Sequence, residues 1–311
     1  MREKIHICEV GPRDGLQMAK TRMTTENKIL WIAALHASGL PEIEVGSFVP
    51  ARVIPQLSDT PEVLAACREI PGIHIMALSP NLRGAQNAYH AGADVIEVPV
   101  SVTEGHSQAN LNRTPQESVV EIRRIADYLA QQSAAPGGRK TPLVIGLSCA
   151  FGCSIDGVVP LEKSVALAVK LVEAGADHIM LADTVGYAHP AQVKALVRAT
   201  RAEIGTKLRG LHLHDTCGLG LANALAGLEE GIRVFDSSQA GLGGCPYAPG
   251  ALGNIVTEDL VFMLESMGFE TGVDLGKLLE AREILAASLP GEALHGGLAK
   301  AGIPRTFKAA A

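Results

Sequence analysis

Four stretches of this chain share one grammar: ASGLPEIEV at 37–45, HAGADVIEV at 90–98, EAGADHIML at 173–181 and EEGIRVFDS at 229–237. In each, a helix-like segment closes on a glycine and a β-rich run follows within a few residues. Glycine suits that junction because it enters the left-handed conformation of a helix end without a Cβ clash. Gly39, Gly92, Gly175 and Gly231 stand 53, 83 and 56 residues apart, near multiples of about 28, the span of one strand plus one helix. Weaker copies at Gly72 (IPGIHIMA) and Gly205 (EIGTKLRGL) fill the gaps. A chain with this repeat builds a parallel sheet covered by helices.

Eight strands are expected, at 5–10, 43–48, 73–79, 94–101, 142–149, 178–183, 208–214 and 233–240. Helix-like stretches lie between them, among them 24–38, 115–131, 160–174 and 190–203, with start signals at Thr24 and at Thr114 before Pro115. Eight strand–helix units in roughly 250 residues are the arithmetic of a (β/α)8 TIM barrel. A doubly wound open sheet is the weaker alternative, since no GxGxxG follows the first strand. The catalytic barrel is assigned to residues 1–270. Residues 271–311 are left as a C-terminal helical extension packed on it, helical in VDLGKLLEAREILAAS and loose in GIPRTFKAAA. PGGRK at 136–140 reads as a surface turn between helix and strand.

Composition narrows the function. Lys and Arg number 27 against 33 Asp and Glu, a formal net charge of −6, and this argues against nucleic acid and acidic membranes as partners. No run of about 18 apolar residues without a charge is present, which argues against a membrane span. The opening MREKIHICEV lacks the apolar stretch and cleavage site of a signal peptide. The six cysteines are therefore expected to be reduced thiols of a cytoplasmic protein, and they form no paired CxxC zinc knuckles. Aromatic residues make up only 4% of the chain, in keeping with a barrel interior filled by branched aliphatics.

Reactive residues of such a barrel sit at the C-terminal ends of strands and in the loops that follow. That filter gathers GPRDGLQ (11–17), Glu44, Glu97, Cys149, Asp183, His212, His214 and the loop GLGGCPYAPGALGN (241–254). In His212-Leu213-His214 the two imidazoles project to one side of a strand, either as metal ligands or as a hydrogen-bonded structural pair. Asp14 adds a carboxylate from strand 1, which adjoins strand 8, and Asn254 adds an amide oxygen. Two nitrogens and two oxygens suit Mg²⁺ or Mn²⁺, with Zn²⁺ or Co²⁺ also able to bind. The 241–254 loop holds five glycines and two prolines around Cys245. Such backbone approaches a ligand closely or closes over one.

EVGPRDGLQ (9–17), EVGSFVP (44–50), SCAFGCSIDG (148–157), HLHDTCGLGLAN (212–223) and the 241–254 loop occur in this order over nearly the whole barrel. Together they resemble the 3-hydroxy-3-methylglutaryl-CoA lyase family and, more distantly, the metal-dependent aldolase, Claisen-type lyase and carboxylase barrels that share a strand-1 Arg-Asp. The resemblance implies an acyl-CoA thioester substrate cleaved to acetyl-CoA and acetoacetate, and a homodimer. It implies Asp14, His212, His214 and Asn254 as ligands of a divalent cation. Arg13 would stabilise the enolate oxygen, Cys245 would act as acid/base, and Glu44 and Asp183 would support the site or assist proton transfer.

The chemistry of the reaction asks for the same parts. A divalent ion acidifies the alcohol, a guanidinium stabilises the enolate and a thiol protonates carbon. The chain departs from the family's pattern at 98–114, where His106 and Ser107 stand, at Arg52 and at Leu252. These departures touch the acyl preference and leave room for a longer 3-hydroxy-3-alkylglutaryl-CoA. A condensing enzyme of the isopropylmalate or homocitrate synthase type is the more distant alternative, and the cysteine loop speaks against it.

Overall fold

The computed structural model describes residues 2–244 and 253–307. Eight parallel strands close into a barrel in sequence order: β1 (His6–Glu9), β2 (Glu42–Ser47), β3 (Ile75–Leu78), β4 (Val95–Ser101), β5 (Leu143–Ser148), β6 (His178–Asp183), β7 (Leu208–Leu213) and β8 (Val234–Ser237). β8 returns to pair with β1, so that no edge is left open. Each strand coincides with one run read from the sequence, β6 to the residue and β2 displaced by one position. The described helices are α1 (Thr25–Ala37), α2 (Thr60–Cys67), α3 (Leu82–Ala91), α4 (Glu104–Leu111), α5 (Pro115–Ala134), α6 (Leu161–Glu173), α7 (Pro190–Ile204), α8 (Gly220–Glu229), α9 (Thr257–Ser266), α10 (Leu275–Ser288) and α11 (Gly297–Ala301). None is long and apolar enough to cross a membrane.

Local chemistry sets these boundaries. Thr24 Oγ1 accepts the Asn27 N–H at 3.2 Å, and Thr114 forms a reciprocal capping box with Glu117 before α5. The repeat glycines Gly39, Gly92, Gly175 and Gly231 have φ of 99°, 98°, 105° and 82°. At Gly39 an added Cβ would also stand 2.2 Å from the Gly272 carbonyl oxygen, so both conformation and space demand glycine.

Side-chain alternation divides the barrel interior into layers. Cys8, Val10, Met76, Val95, Val144 and Met180 form an apolar cluster of their own, with no ring among them, distinct from the larger core between strands and helices. Below this layer, Glu42 closes the N-terminal end. It is ion-paired to Arg209 and lies 3.0 Å from His74 Nδ1. Burial would raise its pKa, but His6, His74 and Arg209 outweigh burial and hold the carboxyl well below the usual range.

The C-terminal segment is bound into the barrel wall. α10 lies against α1 and buries Leu275, Leu278, Ala281 and Leu285. The single tryptophan, Trp31 of α1, donates Nε1–H to Gln239 Oε1 at 2.7 Å, and Gln239 Nε2 donates to the Leu278 carbonyl at 2.6 Å. α11 carries no local signal of its own in the sequence. Its first N–H groups are capped from α9, where Asp259 accepts from Gly297 and Leu298 at 2.7 and 2.8 Å. The following stretch is irregular as expected, yet Phe307 packs on Phe262 with ring centroids 5.3 Å apart.

Glu9, at the end of β1, links the loops that begin the site. Its Oε1 accepts from Gly11 N and Gln239 N at 2.8 and 2.9 Å, and Oε2 lies 2.7 Å from Thr257 Oγ1. Burial raises its pKa from an ordinary 4.5 to about 8. A group protonated in the folded chain and ionised in the unfolded one costs stability as pH rises through that window. Glu9→Gln keeps the acceptor and supplies a donor to Thr257. Its melting temperature relative to the parent is expected to rise between pH 5 and pH 8 and to level off above about 8. A difference that stays constant across this range would refute the assignment.

Candidate active site

The site is assembled where β1, β7 and β8 meet. Gly11–Gly15 forms a π-helical turn directly after β1, with Asp14 N and Gly15 N both reaching the Val10 carbonyl, at 2.7 and 3.3 Å. Such turns recur at functional sites because they redirect adjacent side chains. Here Arg13 and Asp14 are both buried at the mouth instead of forming the ordinary surface ion pair that such a dipeptide makes in isolation. From β7, His212 and its neighbour His214 project toward Asp14. Their Nε2 atoms lie 3.1 Å apart, and Asp14 Oδ2 is 4.0 Å from His212 Nε2 and 3.6 Å from His214 Nε2.

Ligands bound at about 2.0–2.3 Å on adjacent coordination positions stand roughly 3 Å apart or a little more. The spacing of the three donors fits one shared ion. Asp236 of β8 lies opposite His212 in register, and its Oδ2 accepts from His212 Nδ1 at 3.1 Å. This turns the lone pair of Nε2 toward Asp14 and His214, as a carboxylate behind a metal-binding imidazole does. Burial alone would lower the His212 pKa, and Asp236 overturns that effect and raises it.

Asn254 joins the group from the far side of the glycine-rich loop. Its backbone forms an isolated bridge with His214, and its Nδ2 donates to Asp14 Oδ2 at 2.7 Å and to the Leu242 carbonyl at 3.1 Å. The buried Oδ1 has no hydrogen-bond partner among the described residues, which suits an acceptor set beside a cation. Cys245 lies outside the described residues.

Arg13 occupies the centre of an acidic ring. Its Nε donates to Glu44 Oε2 at 2.5 Å, its Nη1 donates to Asp14 Oδ1 at 2.7 Å, and its Nη2 is 3.9 Å from Glu97 Oε2. Two of its three nitrogens are thus held and the plane of the guanidinium is set. Burial works against its charge, but Glu44, Asp14 and Glu97 outweigh burial and raise its pKa. One cation cannot neutralise three buried carboxylates. Burial pushes Glu44 and Glu97 up, helped by repulsion from Glu97 at Glu44 and from Asp236 at Glu97, whereas Arg13 and the two imidazoles overcome burial at Asp14 and keep it low.

Asp183 stands apart from this ring. Its two oxygens accept from Tyr187 N and Ala188 N, both at 3.0 Å, and so tether the segment after β6. A cavity of about 180 Å³ opens over the ring, lined by His212, His214 and His106 of α4 among others. Glu97, Asp236 and His106 take part without having been assigned roles from the sequence. Glu97 and His106 carried a signal, a polar residue at a strand end or in the loop after it. Asp236 carried none, because its partner is set by strand register.

The fold and the donors define a (β/α)8 barrel with a cluster of metal-type ligands and a fixed guanidinium at its catalytic mouth. Residues 4–285 match the model of the HMGL-like family, and the chain belongs to that family. It is 40% identical over 287 residues, 92% of this chain and 82% of the relative, to the cytoplasmic 3-hydroxy-3-methylglutaryl-CoA lyase of Mus musculus. Among solved structures, the HMG-CoA lyase of Bacillus subtilis superposes with a TM-score of 0.89 at 39% identity, covering 96% of this chain and 98% of that one. A bacterial HMG-CoA lyase from Acinetobacter baumannii, solved with coenzyme A and 3-methylmalate, gives 0.88 at 38% identity over 99% and 98% of the two chains.

The donor geometry makes a prediction independent of turnover. Titrating Mn²⁺ into the metal-free protein in a calorimeter is expected to show one site. His212→Ala should abolish it, and Asp236→Asn should weaken it by about 10- to 100-fold. Wild-type affinity in His212→Ala would remove this cluster as the metal site.

Proposed function

We propose that this protein is a divalent-metal-dependent carbon–carbon lyase that cleaves 3-hydroxy-3-methylglutaryl-CoA to acetyl-CoA and acetoacetate. The observation that carries the reading is a guanidinium held by two carboxylates at the edge of a two-imidazole, one-carboxylate donor set, all in one cavity. Family membership supports the same reaction.

Asp14, His212, His214 and Asn254 are the residues assigned to hold Mg²⁺ or Mn²⁺. A bound ion of this kind supplies Lewis-acid chemistry, lowering the pKa of a substrate alcohol and orienting it. Cleavage then leaves negative charge on the thioester oxygen. Arg13 is assigned to that oxygen: Glu44 and Asp14 fix its Nε and Nη1, and Nη2 is the nitrogen least tightly held. Glu44 aims the guanidinium from β2, and Asp183 holds the segment after β6 in place. Cys245 is assigned the proton transfer at the enolate carbon on the strength of its glycine-rich surroundings in the sequence.

Val49, Val53, Ile54, Leu78 and Leu111 give the cavity an apolar side, and this favours a second reading in which a longer 3-alkyl group is accepted. The proposal includes a cytoplasmic location, supported by the thiols of Cys8, Cys67, Cys153 and Cys217, which enter no disulfide, and a homodimer. Light scattering would read the dimer as about twice 32.5 kDa.

Purified protein with Mg²⁺ or Mn²⁺ should release acetoacetate from 3-hydroxy-3-methylglutaryl-CoA, and chelation should stop the release. Arg13→Met should lower kcat by about 10²–10³ or more, the usual cost of losing a donor at a developing oxyanion. Cys245→Ala should fall to background. Wild-type activity no greater than that of Cys245→Ala would overturn the assignment, and a series of acyl chains would decide between methyl and longer alkyl groups.

A further inference from the structure

SCAFGCSIDG (148–157) runs from the end of β5 into a turn and supplies neither a metal donor nor the guanidinium. Hydrogen bonds close the second half of this motif on itself. Cys153 N donates to the Gly157 carbonyl at 2.9 Å, and Gly157 N returns the bond to the Cys153 carbonyl at 3.0 Å. Cys153 Sγ, in a side chain only 2% exposed, accepts from Ile155 N and Asp156 N at 3.4 and 3.3 Å. The stem of the turn is held as well. Ser164 Oγ donates to the Ala150 carbonyl at 2.8 Å, and Gln192 Nε2 donates to the Phe151 carbonyl at 2.5 Å.

This turn reaches the start of α4. The first N–H groups of a helix find no partner within it. Thr103, the residue before α4, caps none of them with its side chain, and its Oγ1 donates to Cys153 Sγ at 3.2 Å instead. Asp156 supplies the acceptor from 51 residues away: its Oδ2 accepts the Gly105 N–H at 2.9 Å. A carboxylate at this end also meets the positive pole of the helix. The fit is close, since an added Cβ at Gly105 would stand 2.7 and 2.8 Å from the two Asp156 oxygens. At its other end α4 closes on Asn112 in the left-handed conformation, φ 51°, and Arg113 donates to the Pro80 carbonyl. Between these two ties α4 lines the cavity with His106, Asn110 and Leu111. Arg13, His212 and His214 line the same cavity, so the group that α4 borders is the acyl end of the thioester, the part that reacts there.

We propose that Asp156 is a positioning residue of the acyl site: from the turn after β5 it caps α4 and so sets the wall that receives the 3-hydroxy-3-methylglutaryl group. Cys153 closes the turn that presents it. The inference rests on the lyase reading above and deepens it, giving SCAFGCSIDG a task separate from metal binding and from the chemistry.

The test compares wild type with Asp156→Ala, Asp156→Asn and Gly105→Ala. Three quantities are read: hydrogen–deuterium exchange of the α4 amides without ligand, Mn²⁺ affinity by calorimetry, and kcat and KM for 3-hydroxy-3-methylglutaryl-CoA. Asp156→Ala should speed exchange in α4 by about 2- to 30-fold, the range set by losing a helix cap. It should raise KM about 3- to 10-fold, with kcat and Mn²⁺ affinity within about twofold of wild type. Asp156→Asn keeps an acceptor and should stay close to wild type. Gly105→Ala improves helix propensity, yet its methyl group displaces the carboxylate, so it should behave as Asp156→Ala does. Unchanged α4 exchange in Asp156→Ala, faster exchange with an unchanged KM, or an equal loss of Mn²⁺ affinity would each overturn the proposal. If wild type releases no acetoacetate, the lyase reading fails by itself. The α4 exchange rates, with calorimetric affinity for the uncleaved thioester, then still decide the role of Asp156.

Discussion

A guanidinium inside a barrel is costly to desolvate and costlier to leave unpaired; breaking one buried pair of this kind typically loses about 3–5 kcal/mol. Arg13 meets that constraint with three acids drawn from three parts of the wall: Asp14 from its own turn, Glu44 from β2 and Glu97 from β4. No local segment could supply them. The arrangement exists only once the strands have closed in register, so the correct fold and a charged, oriented Arg13 are one condition. The excess of negative charge then has a use of its own. Asp14 is driven to stay ionised, facing the two imidazoles, and Glu44 and Glu97 keep their protons more tightly. A ring of one cation and three acids is left short of positive charge, which a divalent cation beside Asp14 would supply.

The architecture was legible because its signals are periodic. Helix-closing glycines at near-regular intervals announced the strand–helix units, and all four of those first recognised have the left-handed backbone their place requires. The pairing of His212 with His214 was legible for a similar reason, since alternate residues of one strand share a face. What was not legible depends on register or on contacts between distant segments. Asp236 supports His212 only because β7 and β8 align those two residues. Asp183 sits at a strand end, as a catalytic acid would, yet spends both oxygens on backbone N–H groups of its own loop. Helix α11 is capped by Asp259 from 38 residues away, a distance at which no local sequence rule operates.

The C-terminal segment matters to the site through hydrogen bonds more than through surface area. Trp31, Gln239 and the Leu278 carbonyl form a line from α1 through the segment after β8 to α10, and Gln239 N also reaches Glu9. Further along, His295 N donates to the Ala240 carbonyl at 2.8 Å, and Glu292 Oε1 accepts from Lys20 N at 2.5 Å. The segments leaving β1 and β8 are therefore both braced by chain that follows the eighth strand–helix unit. Ala240 has φ of 60°, a conformation costly for alanine. It is over-determined by this bracing, with Glu258 accepting its N–H and His295 donating to its carbonyl.

Glycine, 33 of the 311 residues, has a second use in this chain besides closing helices. A barrel interior filled with branched side chains has no room for acids that reach across it. On β5, Gly146 faces the interior, and an added Cβ would stand 2.4 Å from Glu97 Oε1. The missing side chain is what lets Glu97 extend from β4 toward Arg13. Gly11 does the same for Glu9, whose Oε1 would lie 2.5 Å from a Cβ there. Where other barrels place a valine or isoleucine, this chain places nothing, and the volume released goes to the carboxylates that hold its guanidinium and its loops. Low aromatic content and high glycine content are then two sides of one requirement: the mouth of this barrel must hold several charged side chains at close quarters, and it can do so only if its neighbours are small.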